Sequence, residues 1–149
     1  MIRKAVIKDI KTIQNLINGF AKKDLMLPRS LNELYENLRD FFVYEDKGKV
    51  AGCCALHISW DDLAEIKSLA VEKRYQRKGI GKSLVEACIE EARVLGAKKI
   101  FALSYSPAFF KKLGFKKIAH RNLPHKIWAE CISCCKFPDC EEVALIKKI

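Results

Sequence analysis

Residues 63–83, LAEIKSLAVEKRYQRKGIGKS, constrain the fold most, because they run a strand, a glycine-spaced loop and a helix start together without a break. Leu63 to Val71 has the length and apolar content of a sheet strand. Beyond Gly79, the residues Ile80, Leu84, Cys88, Ala92 and Leu95 recur at helical spacing, and Gly96 stands where that helix should stop. The junction reads Gln76-x2-Gly79-x-Gly81. Its last letters, Gly81-Lys82-Ser83, also end a P-loop, but the P-loop's first glycine would fall on Gln76. A dinucleotide fingerprint fails as well, since its third glycine would fall on Leu84. What is left is a turn into a helix N-terminus, where unpaired amides and the helix dipole favour an anion. Arg77, Lys78 and Lys82 add positive charge. This suits a pyrophosphate that is held but not cleaved; the plainer alternative is a turn that only redirects the chain.

Around this junction the order of elements can be read off. IRKAVI alternates as a strand, and Asp9 leads into Ile10, Ile13, Ile17 and Phe20 on one helical face. After Pro28, Ser30 and Glu33 form the pattern of a capping box, followed by Leu31, Leu34 and Leu38. FFVYEDKGKVAGCCALHIS reads as a hairpin turning at DKGK. LAEIKSLAV is its third strand, with Leu63, Glu65, Lys67 and Leu69 expected on one side and Ala64, Ile66, Ser68 and Ala70 on the other. KKIFALS is a further strand, Pro107 opens a short helix, and FKKIA and EEVALIKKI close the chain as strands. The sum is an α+β arrangement, a mixed, mostly antiparallel sheet flanked by helices.

At 149 residues the chain is expected to form a single domain, 1–149. Half of it is hydrophobic, only seven residues are glycine and four proline, and no stretch has the bias of disorder. The formal charge of +10 favours anionic partners without saying whether they are nucleic acid, a phosphorylated cofactor or a dicarboxylate. No apolar run approaches the roughly 18 residues that cross a bilayer, and MIRKAVIKDI lacks a signal-peptide core. A cytoplasmic protein without membrane contact is expected. Seven cysteines, an odd number, agree with a reducing compartment.

Val71-x4-Gln76-x2-Gly79-x-Gly81 after a strand, with a downstream aromatic helix ending at Gly114-Phe115, resembles the acetyl-CoA loop of the GNAT N-acetyltransferase superfamily. The element order from Met1 to about Ala119 matches that fold, in which a splayed strand pair holds acetyl-CoA. More narrowly, LPRSLNELYENLRDFFVYEDKGKVAGCCAL, LAEIKSLAV and FALSYSPAFFKKLGF are similar to the acetyltransferase domain of bacterial N-acetylglutamate synthases, in their short, free-standing form. The resemblance implies acetyl transfer from acetyl-CoA to L-glutamate, a step of arginine biosynthesis.

It also implies roles. Leu69, Ala70 and Val71 would offer backbone groups to the pantetheine arm, with the Leu69 amide facing the developing oxyanion. Gln76, Arg77, Lys78, Gly79, Ile80, Gly81 and Lys82 would cradle the pyrophosphate. Glu65 stands where GNAT enzymes direct a carboxylate at the substrate amine; the alternative is a glutamate on the solvent side of a strand. Many of these enzymes have a tyrosine acid four residues before the glycine of Gly-Phe. Here that residue is Phe110, which has no proton to give, so Tyr105 or solvent is left to protonate the thiolate. Arg29 and, second, Lys67 are the cations for substrate carboxylates, against the alternative of plain surface charge.

Cys53, Cys54 and Cys88 fall in apolar patterns and read as packing. Cys131, Cys134 and Cys140, with Cys135 as a spare and His125 upstream, form a Cys-rich insertion at about 125–141. Three thiolates and an imidazole suit structural zinc, although the second Cys-x2-Cys of a paired knuckle is absent; free thiols are the alternative. The insertion lies where GNAT folds build acceptor pockets or homodimer contacts. Two other functions compete with glutamate acetylation. One is acetylation of another amine, such as a protein N-terminus, a lysine or a polyamine. The other is a basic, zinc-knuckled nucleic-acid module, against which stand an unpatterned lysine distribution and the lack of an aromatic platform.

Overall fold

Ile10, Ile13 and Ile17 are fully buried along one side of α1 (Ile10–Ala21), the face that the sequence spacing assigned to the core. The computed structural model describes residues 1–123 and 142–149. Before α1 comes β1 (Ile2–Lys4), and after it α2 (Leu31–Glu36), β2 (Phe41–Asp46), β3 (Lys49–Trp60) and β4 (Leu63–Val71). Then follow α3 (Ile80–Val94), β5 (Lys99–Ser104), α4 (Pro107–Lys112), β6 (Lys116–Ile118) and β7 (Val143–Lys148). The seven strands make one sheet in the order β1-β2-β3-β4-β5-β7-β6. Among the described residues only the central β4–β5 pair is parallel, and every other neighbour is antiparallel. The α+β expectation holds, with the elements in the order read from the sequence.

Local chemistry explains the boundaries. Lys47 and Gly48 form a two-residue hairpin loop with φ of 50° and 78°, the twist that joins β2 to β3 without splaying them. Ser30 Oγ accepts the Glu33 amide at 3.1 Å and caps α2. The reciprocal half of the capping box does not form, because Glu33 Oε2 instead accepts from Arg29 Nη1 at 3.0 Å. Leu38, read as part of this helix, lies in a 3-10 turn at Leu38–Asp40. Gly96, at φ 94°, ends α3 where expected, yet Leu95 is exposed and Val85 and Ile89 complete the buried stripe instead.

The sheet is covered on both faces. On one, α3 packs Leu84, Val85, Cys88 and Ala92 against Cys54, Leu56, Ala64, Ile66, Ile100 and Ala102, and α4 adds Phe110. On the other, α1 and α2 bring Ile13, Ile17 and Leu34 to Val43, Cys53, Ala55 and Ala70. A separate cluster of Leu63, Phe101, Leu123 and Ala144 covers the far half of that second face. Truncating a fully buried leucine such as Leu84 would cost about 2–5 kcal/mol.

β4 corrects the simple alternation. Cys53 pairs with Ala70 but Ala55 pairs with Lys67, so Ser68 and Leu69 together oppose Cys54 in a β-bulge, and Ser68 takes φ 55°. One inserted residue reverses the facing of everything after it. Ala64 and Ile66 face α3 before the bulge, Leu69 and Val71 after it, and Ala70 turns to α1. Leu69 therefore does not share a side with Glu65 and Lys67.

Candidate active site

The two central strands separate in the middle of the sheet. Pairing between β4 and β5 runs from Leu63↔Lys99 to Ile66↔Ala102 and stops, although β4 continues to Val71 and β5 to Ser104. The strands are parallel, so the V opens toward both C-terminal ends. There β4 leads into the glycine loop and α3, and β5 leads through Tyr105 and Ser106 into α4. This is the splayed pair that the sequence resemblance implied.

Gly79 sits at φ 80° as the N-cap of α3, and the first bond within the helix is Ser83 N–H to Gly79 O at 3.0 Å. The amides of Ile80, Gly81 and Lys82 thus precede any helical partner and present donors to an anion. Arg77, at φ 62°, and Lys78 are exposed beside them. A Cβ on Gly81 would lie 3.5 Å from the Phe109 ring, so α4 reaches across the open V to the start of α3. Gln76 is exposed as well, but its Nε2 donates to the Val71 carbonyl at 2.9 Å and ties the loop to the end of β4.

Glu65 lies one residue before the strands part, paired with His57 on β3 and Phe101 on β5. It is 5% exposed, which removes the alternative of a solvent-facing strand glutamate. Lys67 Nζ stands 3.9 Å from Glu65 Oε1. Arg29 belongs to the α1–α2 layer over this same face, with its backbone bonded to the Asn18 and Gln14 side chains and its guanidinium on Glu33. Tyr105 is partly buried at the mouth of the V. Phe110 is 4% exposed, edge-on to Phe109 at 5.1 Å and to Phe115 at 5.2 Å, so it serves as a core aromatic.

Glu65 and Lys67 meet on one face, and residues 69–71 meet the loop on the other side of the bulge. His57 and Asp40 were not foreseen. His57 Nδ1 lies 2.7 Å from Asp40 Oδ2, and this bond raises the imidazole above its ordinary pKa, against the opposing effect of burial. The alternation of CCALHIS places His57 on the Ala55 side, but Asp40 is 17 residues away and nothing local announces it.

Cys131, Cys134, Cys140 and His125 lie outside the described residues, as does the rest of the insertion at 125–141. Among the described residues no group of three His, Cys, Asp or Glu is arranged to hold a metal ion. Among them, too, no helix is long and apolar enough to cross a membrane.

Comparison with known proteins agrees with this geometry. The family model for the acetyltransferase (GNAT) family matches residues 7–115. An uncharacterized N-acetyltransferase of Chlorobaculum tepidum is 39% identical over 148 residues, covering 99% of this chain and 96% of that one. The amino-acid acetyltransferase of Mycobacterium tuberculosis is 36% identical over 121 residues, covering 79% of this chain and 69% of its own. Among solved structures, N-acetylglutamate synthase from Neisseria gonorrhoeae, complexed with coenzyme A and N-acetyl-glutamate, superposes with a TM-score of 0.92 at 29% identity. That match covers 99% of this chain but 34% of the synthase. A parallel pair splayed at Ile66 and a glycine loop capping α3, together with the family match across residues 7–115, make this chain a member of the acetyltransferase (GNAT) family, an acetyl-CoA-dependent acyltransferase.

Proposed function

We propose that the chain acetylates the α-amine of an amino acid, with L-glutamate as the first-choice acceptor and arginine biosynthesis as the pathway served. The carrying observation is Glu65, buried at the apex of the V with Lys67 Nζ at 3.9 Å. A carboxylate there suits an amine, and a cation beside it suits an acceptor carboxylate. The likeness to an amino-acid acetyltransferase and to a synthase bound to N-acetyl-glutamate supports the same acceptor class.

In this reading the Ile80, Gly81 and Lys82 amides, with Arg77 and Lys78, hold the pyrophosphate of acetyl-CoA. The backbone of Leu69, Ala70 and Val71 runs beside the pantetheine arm in the gap that β5 leaves open, and the Leu69 amide stabilises the oxyanion. Glu65 takes a proton from the ammonium. The nitrogen then bonds to the acetyl carbon and gives up its second proton to solvent, the carbon–sulfur bond breaks, and Tyr105 or solvent protonates the sulfur. Arg29 and Lys67 receive the substrate carboxylates, and Gln76 acts as a brace for the loop.

A thiol-release assay with acetyl-CoA against a panel of amino acids, polyamines and peptide N-termini tests the acceptor. Glutamate is expected to give the highest kcat/KM. A peptide or polyamine turning over fastest would reject the amino-acid reading while leaving the family assignment intact.

A further inference from the structure

His57 on β3 and Glu65 and Lys67 on β4 lie on the sheet face under α1 and α2, with Asp40 of the 3-10 turn bonded to His57, and of these four only Glu65 and Lys67 have a role so far. Asp40 is an acceptor, so the 2.7 Å contact makes His57 Nδ1 the donor and leaves Nε2 to take up or release a proton. His57 stands directly across from Glu65 in the β3–β4 register. The exposures differ in a useful way: Glu65 is 5% exposed, whereas the His57 side chain is 33% exposed. A proton taken by the buried carboxylate needs a path to water, and His57, its cross-strand neighbour, is the more exposed of the two.

We propose that His57, oriented by Asp40, carries to solvent the proton that Glu65 takes from the acceptor amine. This rests on the reading of Glu65 as the base. Each turnover begins with an ammonium and a thioester and ends with an amide, a thiol and one released proton. The first proton goes from the ammonium to Glu65, then to His57 Nε2, then to water. A second proton leaves the nitrogen after the carbon–nitrogen bond forms, and the departing sulfur gains one when its bond to carbon breaks. The charged groups bearing on the imidazole are Asp40 from the 3-10 turn and Glu65 and Lys67 from β4. Asp40 and Glu65 favour the protonated ring, while burial and Lys67 oppose it. Relay requires the neutral ring, so kcat should rise with pH through the His57 transition.

The test measures kcat and KM against pH for His57→Gln and Asp40→Asn, with L-glutamate or, should glutamate fail, the amine of the panel turned over fastest. His57→Gln is expected to lower kcat on the order of 10²-fold with little change in KM, the size of a lost acid–base group. Added imidazole should restore part of that rate. Asp40→Asn should move the rising limb of kcat to lower pH. An unchanged kcat and pH profile in His57→Gln, a loss that imidazole does not relieve, or a rise in KM alone would overturn the relay. If His57→Gln does not fold, the limb in Asp40→Asn decides, and an unmoved limb overturns it. Full activity in Glu65→Gln removes the base and the relay together. Loss there with an intact His57→Gln removes the relay only.

Discussion

The side-chain amide of Gln76 donates to the carbonyl of Val71 at 2.9 Å, so the glycine loop before α3 is fastened to the strand that precedes it. The motif's glutamine is therefore a structural tie, five residues from its acceptor. Gln76→Ala should cost about 1 kcal/mol of stability, the net worth of one hydrogen bond. It should also raise the KM for acetyl-CoA several-fold while leaving kcat near its original value. Thermal melting and initial rates check both.

The two loop glycines should differ. At Gly79 a side chain meets nothing within 4 Å, but φ 80° is left-handed and would strain alanine by about 1–2 kcal/mol. At Gly81 the added methyl would rest 3.5 Å from Phe109, an ordinary contact on a right-handed helical residue. Gly79→Ala is predicted to lower both the melting temperature and the affinity for acetyl-CoA. Gly81→Ala should keep the melting temperature and weaken acetyl-CoA less, as calorimetry and titration would show.

Acid stability should depend on Asp9. It is 4% exposed and accepts from Arg3 Nη1 at 2.7 Å, Arg3 Nη2 at 3.1 Å and the Val6 amide at 2.8 Å. Burial pushes this carboxyl up, yet the Arg3 and Val6 bonds outweigh it and hold the pKa below the ordinary value. A depressed pKa stabilises the fold above the unfolded value of about 4 and loses that contribution as pH falls through the folded value. Asp9→Asn should cost roughly 3 kcal/mol at neutral pH, the low end for breaking a buried pair. The difference from wild type should shrink below about pH 4 in denaturant titrations, because the wild-type carboxylate is then being protonated.

Chemistry and binding should separate at Glu65 and Tyr105. Glu65→Gln keeps the shape of the side chain and removes its basicity, so kcat should fall by roughly 10²-fold or more while acetyl-CoA still protects against thermal unfolding. Tyr105→Phe should lower kcat without loss of cofactor binding if its hydroxyl protonates the thiolate. Unchanged turnover would leave that proton to solvent.

Arg29 can be tested by the acceptor alone. Its guanidinium is already bonded to Glu33 at 3.0 Å, so a role in binding requires it to serve a substrate carboxylate as well. Arg29→Ala is expected to raise the KM for glutamate on the order of tenfold or more, since a charge-assisted bond contributes about 1.5–3 kcal/mol. The KM for acetyl-CoA should stay unchanged. An unaltered glutamate KM would make Arg29 a structural link between α1 and α2.

The sequence by itself determined the order of elements, because each is written in short-range signals. Isoleucines at helical spacing mark α1, Lys47-Gly48 turns the hairpin, Gly79 and Gly96 bracket α3, and Pro107 opens α4. It also located the glycine turn into the start of α3, where the first amides lack helical partners whatever surrounds them. Only the tertiary structure decided what faces what. The bulge at Ser68 reverses the second half of β4, and alternation counted along LAEIKSLAV cannot reveal one inserted residue. The end of β4–β5 pairing at Ile66↔Ala102 depends on strands 36 residues apart in the chain. His57 meets Asp40 across 17 residues and faces Glu65 on the next strand, a union of three polar groups that register creates and no local pattern encodes.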